Sequence, residues 1–186
     1  MKNARRQLLK CALGAGVGLI AAPHAAFSQD ALVSGRPKPG DLLVKVGDST
    51  TKPLTPDDIP TGAMQTMAWA MDATDGTVRS ASRLGRVLLL RLAADTFSPE
   101  TLSRAADGVV AYTAICTHTG CEVIEWLATE QLLQCPCHYS KFDPKDGARV
   151  VDGPAPRTLP ALPLALANGK IVVAQPFTTR VGFEPA

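Results

Sequence analysis

The chain has 186 residues, 46% of them hydrophobic and only 5% aromatic, with 15 glycines and 15 prolines; its size suits one domain, and its turn formers favour a loop-rich β protein over a helical bundle. The net charge of +2 comes from the N-terminus, because residues 1–28 hold four basic and no acidic residues and the rest of the chain has 15 basic and 17 acidic residues. This balance excludes the basic surface that nucleic-acid binding requires, and we expect no nucleic-acid partner.

Residues 1–28 predict a twin-arginine-type export signal. A basic start precedes an apolar run from Cys11 to Ala22, whose 12 residues are fewer than the ~20 that cross a bilayer. The pair Arg5-Arg6 resembles the signal that exports proteins already folded, which suits a cofactor inserted in the cytoplasm. Ala26-Phe27-Ser28, with small residues on both sides of Phe27, predicts a cleavage site. A general secretion signal and an uncleaved N-terminus that associates with the membrane are the alternatives.

Beyond this signal we predict a linker at residues 29–40, which are polar and rich in turn formers, and one domain at residues 41–186. Ser98-Pro99-Glu100 combines an N-cap, a first-turn proline and an acidic first-turn residue, and predicts a short helix that runs to Ala106. Short apolar runs predict strands at Leu42–Val46, Val87–Leu92, Val109–Ile115, Cys121–Trp126, Leu132–Cys135 and Ile171–Ala174.

The pattern of these elements predicts the fold class. Asn168-Gly169 is a hairpin turn signal just before the last predicted strand. Short strands, frequent turns and only one or two short helices are typical of an all-β protein, either an antiparallel sandwich or a barrel.

One segment, ICTHTGCEVIEWLATEQLLQCPCHYSKFD, holds six of the eight Cys and His residues of the chain. They form two blocks, Cys116-x-His118-x-x-Cys121 and Cys135-x-Cys137-His138, with 13 residues between them. A tetrahedral zinc site would use two Cys and two His and leave two thiols over. Two neighbouring thiols of an exported protein tend to pair. The residue types therefore suggest four metal ligands and one disulfide, and they leave the metal open.

The two blocks resemble the Rieske family closely. The family pattern is C-T-H-x-G-C followed by C-P-C-H-x-S, and this chain has CTHTGC and CPCHYS, with a downstream Gly153-Pro154-Ala155-Pro156. The resemblance extends over roughly residues 109–160. It implies a [2Fe–2S] cluster and a Rieske-type antiparallel β-sandwich or barrel, with a smaller inserted cluster-binding subdomain at about residues 112–157.

The resemblance also implies a role for each of the six residues. Cys116 and Cys135 would bind one iron, His118 and His138 would bind the other, and a disulfide of Cys121 with Cys137 would tie the two loops together. Two ferric ions, two sulfides and two thiolates sum to zero charge. The oxidised centre would therefore accept an electron more easily than a cluster with four thiolates, and imidazole ligation raises its reduction potential.

Residues around the ligands are expected to adjust that potential. Ser140 matches a serine that donates to a bridging sulfide. Phe142 stands where high-potential members carry a tyrosine, which predicts a potential below that of the quinol-oxidising proteins. Thr119 replaces an apolar leucine beside the exposed histidine, which weakens the case for quinol docking. Gly153, Pro154 and Pro156 would form a rigid loop that shields the cluster.

We therefore expect an electron-transfer subunit of a periplasmic oxidoreductase complex, not a complete enzyme. It resembles the small Rieske subunit of arsenite oxidase, which implies a molybdenum enzyme or a cytochrome as the partner subunit and a c-type cytochrome as a further partner. The alternative is the Rieske subunit of a ubiquinol–cytochrome c reductase, anchored to the periplasmic face of the inner membrane. A disulfide-stabilised zinc-binding module without a redox role is a third interpretation.

Overall fold

The computed structural model describes residues 35–183, so the predicted export signal and the first half of the predicted linker lie outside the described part. Within residues 35–183 it has ten strands, one α-helix and three short 3-10 turns, which confirms the all-β prediction. The elements are β1 (Leu42–Lys45), β2 (Thr66–Met71), β3 (Val87–Arg91), α1 (Pro99–Leu102), β4 (Val109–Thr113), β5 (Glu125–Leu127), β6 (Leu132–Gln134), β7 (Lys141–Asp143), β8 (Arg149–Asp152), β9 (Leu164–Ala167) and β10 (Lys170–Val173), with 3-10 turns at Pro56–Asp58, Arg83–Gly85 and Ala94–Thr96.

The strands form two antiparallel sheets of unequal size. The larger sheet has six strands in the order β4-β3-β2-β1-β10-β9, and the smaller has four in the order β5-β6-β7-β8. The smaller sheet is therefore inserted between β4 and β9, as the prediction of a smaller subdomain required. An isolated bridge between Tyr112 and Ala161 joins β4 to the segment that leads into β9. This bridge curls the larger sheet towards closure.

Strand β3 lies at the centre of the fold and is buried on both faces. Its residues Val87–Leu90 are at most 1% exposed. Successive side chains of β3 belong to two different hydrophobic clusters, and one of these clusters also contains Leu133 and Phe142 of the smaller sheet. A strand that is covered on both faces needs apolar residues at every position, which explains the unbroken apolar run VLLL at residues 87–90.

The helix is shorter than predicted, because a hairpin turn takes up its expected C-terminal part. Helix α1 ends at Leu102, not at Ala106. Ala106 instead exchanges two backbone hydrogen bonds with Val109, at 2.9 and 3.0 Å. Asp107 and Gly108 between them have φ of 50° and 75°, which is the left-handed conformation of a two-residue hairpin turn.

The predicted strand Cys121–Trp126 is also wrong in extent, since β5 starts only at Glu125 and Glu122 forms just an isolated antiparallel bridge with Ile115. The carbonyl of Cys121 accepts from an upstream loop residue and the N–H of Val123 donates to Ala114 at 2.8 Å, so this stretch belongs to a loop. The hairpin at Asn168-Gly169 is present, with Ala167 paired to Lys170 across the turn.

The end of the predicted linker packs on the domain. Gly35 and Pro37 are buried. A Cβ atom at Gly85 would lie only 1.8 Å from the carbonyl oxygen of Gly35, so this segment fits directly against the turn that precedes β3. Within residues 35–183, no helix has the length and hydrophobicity needed to cross a bilayer.

Candidate metal centre

The two Cys/His blocks form two loops with the same backbone plan. The first ligand loop, Cys116–Cys121, follows β4, and the second ligand loop, Cys135–Ser140, connects β6 to β7. In each six-residue loop the N–H of the first residue donates to the carbonyl of the sixth, and the N–H of the fifth donates to the carbonyl of the first. These bonds measure 2.8 and 3.1 Å in the first loop and 2.9 and 2.9 Å in the second. Each loop is thereby closed upon itself.

This plan requires a left-handed backbone at the fifth position of each loop. Gly120 occupies it in the first loop with φ of 77°, and Tyr139 occupies it in the second with φ of 58°. Glycine adopts this conformation without strain, whereas a residue with a Cβ atom loses about 1–2 kcal/mol. The side chain of Tyr139 is 66% exposed, so it gains little from packing that would offset the strain.

The loops place thiols inside and imidazoles outside. Cys116 and Cys135 are free thiols that are 1% and 2% exposed. His118 is half-buried and His138 is exposed. Burial raises the pKa of the Cys116 thiol to about 11, although the backbone N–H groups of His118 and Thr119 bond to it and act in the opposite direction. Metal binding at Cys116 would therefore displace a proton.

The two imidazoles converge on one point. The Nδ1 atoms of His118 and His138 lie 3.2 Å apart, and the rings meet edge to face at an interplanar angle of 84°. Two nitrogen ligands of a tetrahedral metal, each bonded at about 2.0–2.1 Å, are about 3.3 Å apart. The Nδ1 atoms thus have the separation that a single metal ion needs.

A disulfide between Cys121 and Cys137 joins the two loops. The sulfur of Cys135 and the two disulfide sulfurs lie within 4.8 Å of one another, so the bridge is next to the buried Cys135 thiol. The structure therefore brings all six predicted Cys and His residues together and leaves two thiols and two imidazoles as donors. This donor set fits a [2Fe–2S] cluster with thiolates on one iron and imidazoles on the other.

A third segment, the proline loop Gly153–Pro156, covers the second ligand loop. The N–H of Ala155 donates to the Ser140 hydroxyl at 3.1 Å, and Ser140 is fully buried. Gly153 has φ of 84°, and a Cβ atom there would lie 2.5 Å from the Cα of Ser140. Pro154 and Pro156 are exposed, so the loop lies between the second ligand loop and solvent.

Phe142 and Thr119 occupy contrasting environments. Phe142 pairs with Leu133 across β7 and β6, and it is fully buried in the cluster that also contains Cys116 and Cys135. Thr119 is exposed, and its hydroxyl lies 3.9 Å from the sulfur of Cys121.

Two arginines that the sequence analysis did not single out also contact the first ligand loop and its C-terminal flank. Nη2 of Arg83 donates to the carbonyl of Gly120. Nη1 of Arg86 bonds to both carboxylate oxygens of Glu122, at 2.8 and 2.7 Å. These partners are 36 and 37 positions apart in the chain, so no local pattern could have revealed them.

Similarity to known proteins points to an iron–sulfur family. Residues 68–163, just over half of the chain, match the family described as Rieske [2Fe-2S] domain. The chain is 35% identical over 125 residues to the cytochrome bc1 complex Rieske iron-sulfur subunit of Streptomyces lividans, which covers 66% of this chain and 72% of that protein.

A second relative and a solved structure carry the same family name. The chain is 41% identical over 97 residues to the "Putative respiratory nitrate reductase subunit Rieske" of Haloferax mediterranei, which covers 51% of this chain and 43% of that protein. The soluble domain of the Rieske protein II (soxF) from Sulfolobus acidocaldarius aligns with a TM-score of 0.38 at 23% identity, over 48% of this chain and 61% of that one.

Proposed function

The chain belongs to the Rieske [2Fe-2S] domain family, and we propose that it is the electron-transfer iron–sulfur subunit of a periplasmic oxidoreductase complex. One observation carries this proposal: the two ligand loops bury both thiols and leave an imidazole at the surface. Sulfur ligands that are shielded from water and a nitrogen ligand that reaches solvent suit a centre that exchanges electrons with a partner protein.

In this proposal the four donors have distinct roles. Cys116 and Cys135 would bind one iron, and His118 and His138 would bind the other. The bound cluster supplies a one-electron couple. The disulfide keeps the two loops at a fixed separation, and the exposed edge of His138 gives a partner its shortest route to the centre.

Two buried residues are proposed to adjust the reduction potential. The Ser140 hydroxyl accepts from Ala155, so its own hydrogen stays free to donate to a sulfur of the cluster, which stabilises added negative charge. Phe142 has no hydroxyl and cannot add a second bond of this kind. We therefore infer a potential lower than a tyrosine at this position would give.

The proposed partners follow from the chemistry of a carrier. The relatives named above are subunits, one of a cytochrome bc1 complex and one of a respiratory nitrate reductase. For this chain we infer a partner subunit, either a molybdenum enzyme or a cytochrome, that exchanges electrons with the centre, and a c-type cytochrome on the other side of the transfer. The predicted export signal supports a periplasmic location, with an uncleaved N-terminus as the alternative link to the membrane.

The second candidate is the Rieske subunit of a ubiquinol–cytochrome c reductase. The similarity to the Streptomyces lividans protein favours it. The polar and exposed Thr119 beside His118 speaks against it, because a quinol ring would dock more favourably on an apolar side chain.

The first experiment is metal analysis together with electron paramagnetic resonance of the anaerobically purified, dithionite-reduced protein. We expect two irons per chain and a rhombic signal of a mixed nitrogen–sulfur centre. A Cys116→Ser variant should lose the signal, whereas Ser103→Ala, on the surface beyond α1, should retain it. A colourless protein with one zinc per chain would refute electron transfer.

A second experiment separates the two candidate complexes. The tagged full-length chain is isolated from periplasm and from membranes, and the proteins that co-purify are identified. A soluble molybdenum enzyme supports the first candidate. A membrane cytochrome b, together with quinol-dependent reduction of the centre, supports the second.

A further inference from the structure

We propose that Arg83 is a positioning residue of the metal centre, which fixes the first ligand loop and favours the reduced state. This inference rests on the proposed redox function and adds a residue from outside both Cys/His blocks. Arg83 opens the 3-10 turn Arg83–Gly85 between β2 and β3, and its guanidinium reaches across to the carbonyl of Gly120.

The turn that carries Arg83 is stabilised by hydrogen bonds and by close packing. The hydroxyl of Ser82 accepts from the N–H of Leu84 at 3.3 Å, and the carbonyl of Ser82 accepts from Gly85 at 2.9 Å. Gly85 is buried against the carbonyl of Gly35, at a distance that leaves no room for a Cβ atom. The backbone of Arg83 is thus held in a hydrogen-bonded turn that packs against the segment at Gly35.

Gly120 is enclosed by the groups that hold it. A Cβ atom at Gly120 would lie 3.2 Å from Nη2 of Arg83 and 3.0 Å from the ring of Phe183. The carbonyl of the neighbouring Gly182 accepts from the guanidinium of Arg157. The first ligand loop is therefore contacted at Gly120 by both the guanidinium of Arg83 and the ring of Phe183.

Two further contacts hold the same segment, but Arg83 differs from them in charge. Thr117 donates its hydroxyl to the backbone carbonyl of Arg157 at 2.7 Å, and Arg86 forms an ion pair with Glu122 at 2.7 Å, so neither contact adds net charge. Within residues 35–183, no carboxylate lies within ion-pair distance of Arg83. Among these described residues, its positive charge therefore has no ion-pair partner beside the loop.

A nearby cation has a definite effect on a redox centre. Reduction adds one negative charge, and a nearby positive charge stabilises the reduced form relative to the oxidised form. Arg83 is exposed, so salt screens this effect. The hydrogen bond to Gly120 acts independently of salt, because it keeps the backbone between His118 and Cys121 in place.

Three substitutions separate the charge from the hydrogen bond. Arg83→Met removes both, Arg83→Gln keeps a donor without charge, and Arg83→Lys keeps charge with a single donor. Lys170→Gln, in the β9–β10 hairpin, is the control for a change in net charge. Each cluster-loaded protein is studied by redox titration at low and high salt, and by hydrogen exchange of the amides of residues 116–122.

We expect a lower reduction potential in Arg83→Met and Arg83→Gln, a smaller shift at high salt, and a nearly unchanged potential in Arg83→Lys and Lys170→Gln. Exchange of the loop amides should become about tenfold faster in Arg83→Met and change less in Arg83→Gln. Unchanged potential and exchange in Arg83→Gln and Arg83→Met would overturn the inference. If the Arg83→Met protein does not fold, the difference in reduction potential between Arg83→Gln and Arg83→Lys tests the inference instead.

Failure of this inference is distinct from failure of the proposed function. A wild-type protein without the mixed-ligand resonance signal would contradict the proposed function. A wild-type protein with the signal, whose potential and loop exchange are indifferent to Arg83, would contradict only the role of this arginine.

Discussion

Gly153 connects the proline loop to the second ligand loop at a distance that leaves no space for a side chain. Its φ of 84° is left-handed, and a Cβ atom would lie 2.5 Å from the Cα and 2.8 Å from the N of Ser140. Both are backbone atoms and cannot rotate away. For Gly153→Ala we add about 1–2 kcal/mol for the conformation and about 1–3 kcal/mol for overpacking. The expected loss of unfolding free energy is about 2–5 kcal/mol.

Gly147→Ala is the matched control. Gly147 also has a left-handed φ, of 60°, but a Cβ atom there would have no neighbour within 4 Å. It carries the conformational cost alone, about 1–2 kcal/mol. The difference between the two variants therefore measures the close approach of Gly153 to Ser140.

Two measurements test this reasoning: urea unfolding of each variant, and the rate at which visible absorbance of the bound cluster is lost under chelator. We expect Gly153→Ala to be the less stable protein and to lose its cluster faster, because the displaced proline loop no longer donates from Ala155 to Ser140. Equal unfolding midpoints and equal rates of cluster loss in the two variants would refute the reasoning.

Three other predictions concern the ligand loops and the adjoining strand β7. Replacing Cys121 and Cys137, which are 16 positions apart, by serine should lower the unfolding free energy by about 3 kcal/mol, as seen in urea titration; an unchanged midpoint would contradict this. Tyr139→Gly should be neutral to about 1 kcal/mol stabilising in the same assay, since relief of left-handed strain exceeds the entropy that glycine adds to the unfolded chain, whereas Tyr139→Ala should give no gain. Phe142→Tyr should raise the reduction potential in redox titration, because its hydroxyl can donate to a ligand sulfur; an identical potential in both proteins would count against that bond.

The sequence was informative where a strand is continuously apolar or a turn has its own signature. Strands β1, β3, β4 and β6 fall within predicted runs, β10 begins one residue before its predicted run, and the Asn168-Gly169 turn is present. The Cys/His blocks were equally legible, because each loop carries its donors within six consecutive residues. The loop at Gly153–Pro156 was recognised because its Gly-Pro-x-Pro motif is likewise formed by consecutive residues.

Other strands and contacts have no local sequence signal and form only through pairing with distant segments of the chain. Strand β2 reads TMAWAM, with no run of branched residues, and owes its conformation to pairing with β1 and β3. Strands β7 (KFD) and β8 (RVVD) have at most two consecutive apolar residues, and β9 (LALA) is rich in alanine, which is depleted in strands. The contacts of Arg83 and Arg86 join segments 36 or 37 residues apart, and they depend on the completed fold.

The position of the two ligand loops means that a cofactor bound by both loops also links the two sheets. Cys116 lies just beyond β4 of the six-stranded sheet, and Cys135 lies just beyond β6 of the four-stranded sheet. A group that binds both thiols cross-links the lobe of the six-stranded sheet to the lobe of the four-stranded sheet, and the disulfide is a second cross-link beside it. In the proposed function, the lobe that carries His138 would therefore be held in position by the same cluster that transfers the electron.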